Sequence, residues 1–264
     1  MPANFSILRQ QIGISSSEHS LEELMKILSY FADHVPFENL DVLNKNSETI
    51  TPEFLLKKLV DEKRGGLCYE INPLIFLLLR DLGYDAVLVK GTVLTENGWA
   101  TDGTHVIVIV NLHGKQYVLD NGFGSNITRQ PVEINGKLVS APAGCFRVVE
   151  RVSEKGAIAY EKWENNEWTL KYAFHMKPIA WEELDRIKRV ITESEQSAFN
   201  KQLLISQCLS DKTYSINESR MRVRSKDGEA DTAFEGIQDL LRTIQMRTNE
   251  SIYKQAQSYF RNSE

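Results

Sequence analysis

The stretch KRGGLCYEINPLIF, residues 63–76, decides how this chain is read. Gly65 and Gly66 let the backbone turn tightly, Cys68 follows them, and the run after it has the composition of a buried helix. Pro73 fits only near a helix start, because further in it removes a hydrogen bond and clashes with the preceding turn. The helix is therefore predicted to open close to Cys68. There the unpaired N–H groups and the positive end of the helix dipole favour a nucleophilic thiolate, against the commoner case of a buried, inert cysteine.

The surrounding composition bounds what such a thiol can serve. With 264 residues, 42% of them hydrophobic and 25% charged, the chain supports one compact body of two or three sub-domains. A formal charge of -5 lacks the basic footprint of nucleic-acid binding. The longest apolar runs, Leu74 to Leu79 and Val106 to Val110, are too short to span a bilayer, and MPANFSILRQQ lacks the apolar core of a secretion signal. No membrane partner and a cytoplasmic location are expected. Cys68, Cys145 and Cys208 form no CxxC pair and leave one thiol unmatched, so neither a disulfide framework nor a metal site is expected.

Outward from the motif, periodicity divides the chain. Ser20 and Glu23 have capping-box spacing ahead of Leu21, Leu24, Ile27, Leu28 and Phe31, an amphipathic helix that stops before Pro36. Thr51-Pro52 opens a second helix with Leu55, Leu56 and Leu59 inward, and the Cys68 helix runs down to Gly83. From Ala86 the period becomes two and β-branched residues dominate, through AVLVKGTVL, THVIVIVNL, KQYVLDNGF, CFRVVERV, AIAYEKW and EWTLKYAF. After Trp181 the pattern predicts a short helix, strands near Leu203 to Leu209 and Met221 to Val223, and a helix from about Thr232 to Met246. The fold class is α+β: a helical domain over 1–84, an antiparallel β-barrel over 85–190 and an α/β lid over 191–264.

A thiolate nucleophile needs a histidine base and a group to orient it. His19 and His34 flank the first helix in polar surroundings, His113 sits in a predicted turn, and His175 lies in a strand-like stretch with a core or edge role. His105 can be tested by geometry. If 105–112 and 115–120 pair across a two-residue His113-Gly114 loop, Leu112 faces Lys115 and Ile107 faces Asp120. His105 shares a face with Ile107 and becomes a diagonal neighbour of Asp120; a slip of one residue would separate them. A strand-end histidine and a turn-capping aspartate are the bland reading of the same pair. Cys68, His105 and Asp120 supply nucleophile, base and orienting carboxylate, a cysteine-protease-like core.

These residues resemble the arylamine N-acetyltransferase family. RGGLCYEIN at 64–72 resembles its RGGxCxExN signature, PFENL at 36–40 its PFEN motif, Thr104-His105 its triad histidine, and DNGFG at 120–124 its DVGFG block. The match spans roughly residues 36–124. The resemblance implies a helical domain, a barrel and an α/β lid, with acetyl-CoA acetylating Cys68 and the acetyl group passing to an arylamine, arylhydrazine or N-hydroxyarylamine in a ping-pong cycle. It further implies that Phe37 lines the acceptor pocket, and that Thr104, Phe123 and Gly124 lie at the substrate and CoA end. Glu38 and Arg64 would form a structural pair beneath the site, with Glu70 and Asn72 beside it. Asn121 departs from the small apolar residue usual there, bringing an amide that is either solvated or a competitor for Asp120.

Other readings of the Cys-His-Asp set are a cysteine protease or a transglutaminase-like amidase, a weakly active or binding-only relative that takes CoA or aromatic ligands, and a redox-sensing thiol. Arg220, Arg222 and Arg224 make one strand face basic, either a solvated face or a contact for CoA phosphates. Trp163, Trp168, Tyr172 and Phe174 are read as sheet packing.

Overall fold

Ser20 Oγ accepts the Glu23 N–H at 3.1 Å and opens the helix Leu21–His34, whose buried side carries Leu24, Ile27, Leu28 and Phe31. The other half of the capping box is absent, because the Glu23 carboxylate turns back to the Glu18 N–H and the Ser17 hydroxyl. These and the following observations come from a computed structural model, which describes residues 4–262.

Thr51 Oγ1 caps Phe54 N–H at 3.1 Å with Pro52 in the first turn, as its side-chain chemistry dictates. The α-helix Pro52–Leu56 then widens into a π-helical turn, Lys57–Asp61. The Cys68 helix runs Cys68–Asp81 and buries Ile71, Leu74, Ile75, Leu78 and Leu79 completely. The helix opens at Cys68, as expected, and Pro73 lies in its second turn. The helix tolerates the lost hydrogen bond because its apolar face is buried along nearly its whole length, and packing outweighs a local backbone cost of about 3 kcal/mol.

The barrel is one antiparallel sheet. Its strands follow the order Val132–Glu133, Lys115–Leu119, His105–Leu112, Asp85–Thr95, Glu167–Pro178, Gly156–Glu164, Gly144–Ser153 and Val139–Ala141. A bridge between Ile134 and Val148, with Asn135 N–H on Val148 O at 2.8 Å, brings the two ends together. The strand His105–Leu112 is buried on both faces. Val106, Val108 and Val110 pack with the helical cluster, while Ile107 and Ile109 enter the barrel interior. That double burial is the reason HVIVIV has no polar alternation.

The lid sheet has the order Phe37–Glu38, Leu204–Cys208, Lys212–Asn217, Arg220–Ser225 and Gly228–Ala233, followed by helices Ile237–Arg247 and Glu250–Arg261. The helix expected from Thr232 therefore begins later. Thr232 and Ala233 belong to a strand whose cross-strand pairs Arg222 with Asp231 and Arg224 with Glu229 stabilise extended backbone. Arg220, Arg222 and Arg224 all pair across the sheet with Asp231 or Glu229 on a partly exposed face. The short helix after Trp181 is present as Glu183–Glu193, and its Leu184, Ile187 and Ile191 pack into the helical cluster. Among the described residues no helix is long and apolar enough to cross a membrane.

Two backbone hydrogen bonds join the PFEN and RGG segments. Gly66 N–H donates to Pro36 O at 3.2 Å and Glu38 N–H to Gly66 O at 3.0 Å. A Cβ on Gly65 would sit 2.2 Å from Pro36 O and 2.5 Å from Glu38 Cγ. Close approach, not a turn needing positive φ, is why glycine stands there. Gly65→Ala is expected to destabilise the fold by about 1–3 kcal/mol, read as a lowered urea midpoint with an unchanged slope.

Candidate functional site

Cys68 is the first residue of its helix, 5% exposed, with its Sγ 3.5 Å from the carbonyl oxygen of Thr104. His105 begins the neighbouring barrel strand and donates from Nε2 to Asp120 Oδ2 at 2.8 Å. The hairpin explains this contact. Leu112 pairs with Lys115 and Val108 with Leu119 across His113-Gly114, both at positive φ, so Asp120 follows the last paired residue on the diagonal from His105. Nε2 being engaged, Nδ1 is the nitrogen left for the sulfur.

Asn72 lies one helical turn after Cys68, on the same helix face. Its Nδ2 donates to Val106 O at 2.7 Å and to Asp120 Oδ1 at 2.8 Å, and its Oδ1 accepts the Asn121 N–H at 3.0 Å. Gly122 N–H adds a bond to Asp120 Oδ1 at 2.9 Å. A Cβ on Gly122 would fall 2.5 Å from Cys68 Cα, so the Asp120 turn packs directly on the Cys68 backbone.

The electrostatics follow from burial and pairing. Burial alone lowers the pKa of an imidazole, yet the charge of Asp120 and its hydrogen bond, with a smaller contribution from Cys68, raise His105 to about 10. Burial by itself raises Asp120, but His105, Asn72 and Gly122 hold it below the usual carboxylate range. His105 is therefore an imidazolium and Asp120 a carboxylate at neutral pH.

Beneath the site runs a chain of buried charges. Arg64 donates to Glu38 Oε1 at 2.7 Å and to Asp41 Oδ1 at 2.8 Å; Lys58 Nζ meets Asp41 Oδ2 at 2.8 Å and Glu70 Oε1 at 2.6 Å. Burial raises Asp41, but Lys58 and Arg64 together lower it to about 2. Sequence reasoning named Glu38, Arg64 and Glu70 but missed Asp41 and Lys58. The signal for Lys58 was its position, three residues after Leu55 and one before Leu59, on the inward face.

The remaining residues fall around this centre. Phe37 is buried, edge-on to Phe199 with centroids 5.7 Å apart. Gly124, at φ 61, leaves room beside Ser206 and Phe37. Phe123 lies 5.2 Å from the His105 ring. Thr104 Oγ1 donates to Thr101 O at 2.8 Å, tying the loop whose carbonyl faces the sulfur. Tyr172, read as packing, lies 4.8 Å from the His105 ring and stacks on Tyr160. Nothing in the sequence marked that cross-barrel contact. Asn121 meets neither expectation: it is buried, and its Nδ2 donates to Leu28 O at 2.8 Å rather than to Asp120. The other histidines lie elsewhere: His19 bonds Leu82 O, His34 stacks on Tyr30, and His175 is exposed.

Asp120→Ala leaves the buried imidazole without its counter-charge, so it is expected to lower the rate of Cys68 alkylation near neutral pH about tenfold or more. The profile of rate against pH reports the loss. The His105 pair also contributes stability that is complete below its ordinary value of 6.5 and fades as pH rises through about 10. The gap in urea unfolding free energy between wild type and His105→Gln should narrow across that window.

Comparison with known proteins accords with this arrangement. A family model described as N-acetyltransferase matches residues 20–255. YvcN of Bacillus subtilis, an uncharacterized acetyltransferase, is 34% identical over 227 residues, 83% of this chain and 89% of its own. The crystal structure of arylamine N-acetyltransferase C from Bacillus anthracis superposes with a TM-score of 0.86 at 31% identity, covering 94% of this chain and 99% of that one. An arylamine N-acetyltransferase from Bacillus cereus, described as having a unique Cys-His-Glu catalytic triad, gives 0.83 at 31% identity, covering 91% and 95%. In this chain the carboxylate at His105 is an aspartate. The chain belongs to the arylamine N-acetyltransferase family and is an acyltransferase.

Proposed function

We propose that this protein moves an acetyl group from acetyl-CoA to the nitrogen of an arylamine, arylhydrazine or N-hydroxyarylamine, through a thioester on Cys68 in a ping-pong cycle. The observation that carries the reading is the Nε2 to Asp120 bond at 2.8 Å beside the sulfur at the helix start.

His105, charged by its pairing with Asp120, stabilises negative charge on the sulfur. The thiolate attacks the acetyl carbonyl of acetyl-CoA; the new C–S bond forms as the bond to the CoA sulfur breaks. His105 supplies a proton to the departing thiolate and is left neutral. An aromatic amine then attacks acetyl-Cys68. The neutral imidazole takes the amine proton as the C–N bond forms, the Cys68 thiolate leaves, and the starting ion pair is restored. Asp120 stays ionised throughout and stabilises each imidazolium.

Phe37, with Phe199 beside it, offers aromatic surface for a flat acceptor. Thr104, Phe123 and Gly124 stand at the acyl and CoA end. A cytoplasmic setting accords with free thiols at Cys68, Cys145 and Cys208.

Intact-protein mass after exposure to acetyl-CoA is the direct test. One acetyl group is expected on wild type and none on Cys68→Ser, and its loss should follow addition of an arylamine. A wild-type chain that takes up no acetyl group ends this reading.

A further inference from the structure

Lys58 occupies the π-helical turn Lys57–Asp61, where the Glu62 N–H reaches back to Lys57 O at 2.8 Å. Such turns are rare and recur at functional positions, because the extra residue re-aims side chains that a regular helix would place elsewhere. Here the turn carries a lysine that is only 3% exposed. Its ammonium meets Glu70 Oε1 at 2.6 Å and Asp41 Oδ2 at 2.8 Å, and lies over the Phe54 ring at 5.8 Å.

Glu70 is the link to the chemistry. Its other oxygen accepts the Leu67 N–H at 3.0 Å, so one carboxylate holds the residue before Cys68 while its own backbone lies two residues after it. We propose that Lys58 is a positioning residue for the nucleophile: by anchoring Glu70 it fixes the backbone on both sides of Cys68. It also cancels a carboxylate charge that would otherwise repel the thiolate. This inference rests on Cys68 being the reacting group.

The surrounding charges give Lys58 no substitute. Arg64 is committed to Glu38 and Asp41. Lys188 lies over the same Phe54 ring at 5.5 Å, but its ammonium donates to Glu48 O. Three buried carboxylates, Glu38, Asp41 and Glu70, thus meet two cations, Arg64 and Lys58, and of these only Lys58 touches Glu70.

The test uses the full chain and three variants: Lys58→Met, Glu70→Ala, and the double variant Lys58→Met with Glu70→Gln. Two rates are read, alkylation of Cys68 by iodoacetamide and single-turnover acetylation by acetyl-CoA, with circular dichroism to confirm folding. Lys58→Met is expected to lower both about tenfold or more, while the half-saturating acetyl-CoA concentration stays within about threefold. The double variant removes the stranded charge and keeps an amide oxygen for Leu67, so both rates should return to within about threefold of wild type.

A folded Lys58→Met that reacts at the wild-type rate overturns the proposal, and so does a double variant as slow as the single. Should Lys58→Met not fold, Glu70→Ala carries the test. It strips the acceptor from Leu67 and is expected to lose about tenfold in alkylation; a wild-type rate there overturns the proposal. If wild type takes no acetyl group yet the alkylation pattern holds, the acetyl-transfer reading fails and the positioning role of Lys58 stands.

Discussion

The side chain of Asn72 spans the junction on which the site depends. From the Cys68 helix it donates to the backbone of the His105 strand through Val106, donates to Asp120, and accepts from Asn121. Two segments distant in sequence are thereby held against one helical turn. Each bond is buried, so breaking one strands a polar group in a place water does not reach, and the arrangement has no inexpensive alternative. Gly122 completes the constraint from the other side, since only a residue without a Cβ fits against Cys68.

The same junction shows two ways of burying charge. His105 and Asp120 form one pair, and the pairing keeps the imidazole charged where burial alone would neutralise it. The chain from Glu38 to Glu70 has a different task. Its members are saturated by one another and by the Leu40 and Leu67 N–H groups. Breaking such a network is costly, which makes it a rigid floor under the helix start. Arg64, deep in that floor, comes from the RGG segment, and Glu38 from the short strand that pairs with the lid. Loss of order in any one of helical cluster, barrel or lid would therefore reach Cys68.

The two-faced burial of the strand His105–Leu112 explains how the histidine reaches the sulfur. Alternate residues face the helix and the barrel interior, and His105 lies on the interior face at the strand's first position. There Phe123 and Tyr172 lie against the imidazole. Aromatic packing confines the ring to the orientation in which Nε2 meets Asp120.

Local chemistry in the sequence determined the Ser20 and Thr51 caps, the helix opening at Cys68, the His113-Gly114 hairpin and, from its register, the diagonal meeting of His105 with Asp120. Each rests on interactions between residues near in sequence, or on the strict period of a strand. The helix wrongly extended back to Thr232 lay where cross-strand ion pairs outweighed local propensity, and the strand Lys212–Asn217 and helix Glu250–Arg261 went unread for similar reasons of tertiary support. What only the tertiary structure decided was which distant groups share a buried space: Lys58 with Glu70, Asn121 with Leu28, Tyr172 with His105. Such contacts are selected by packing between elements, and no periodicity along one chain encodes the distance between two of its surfaces.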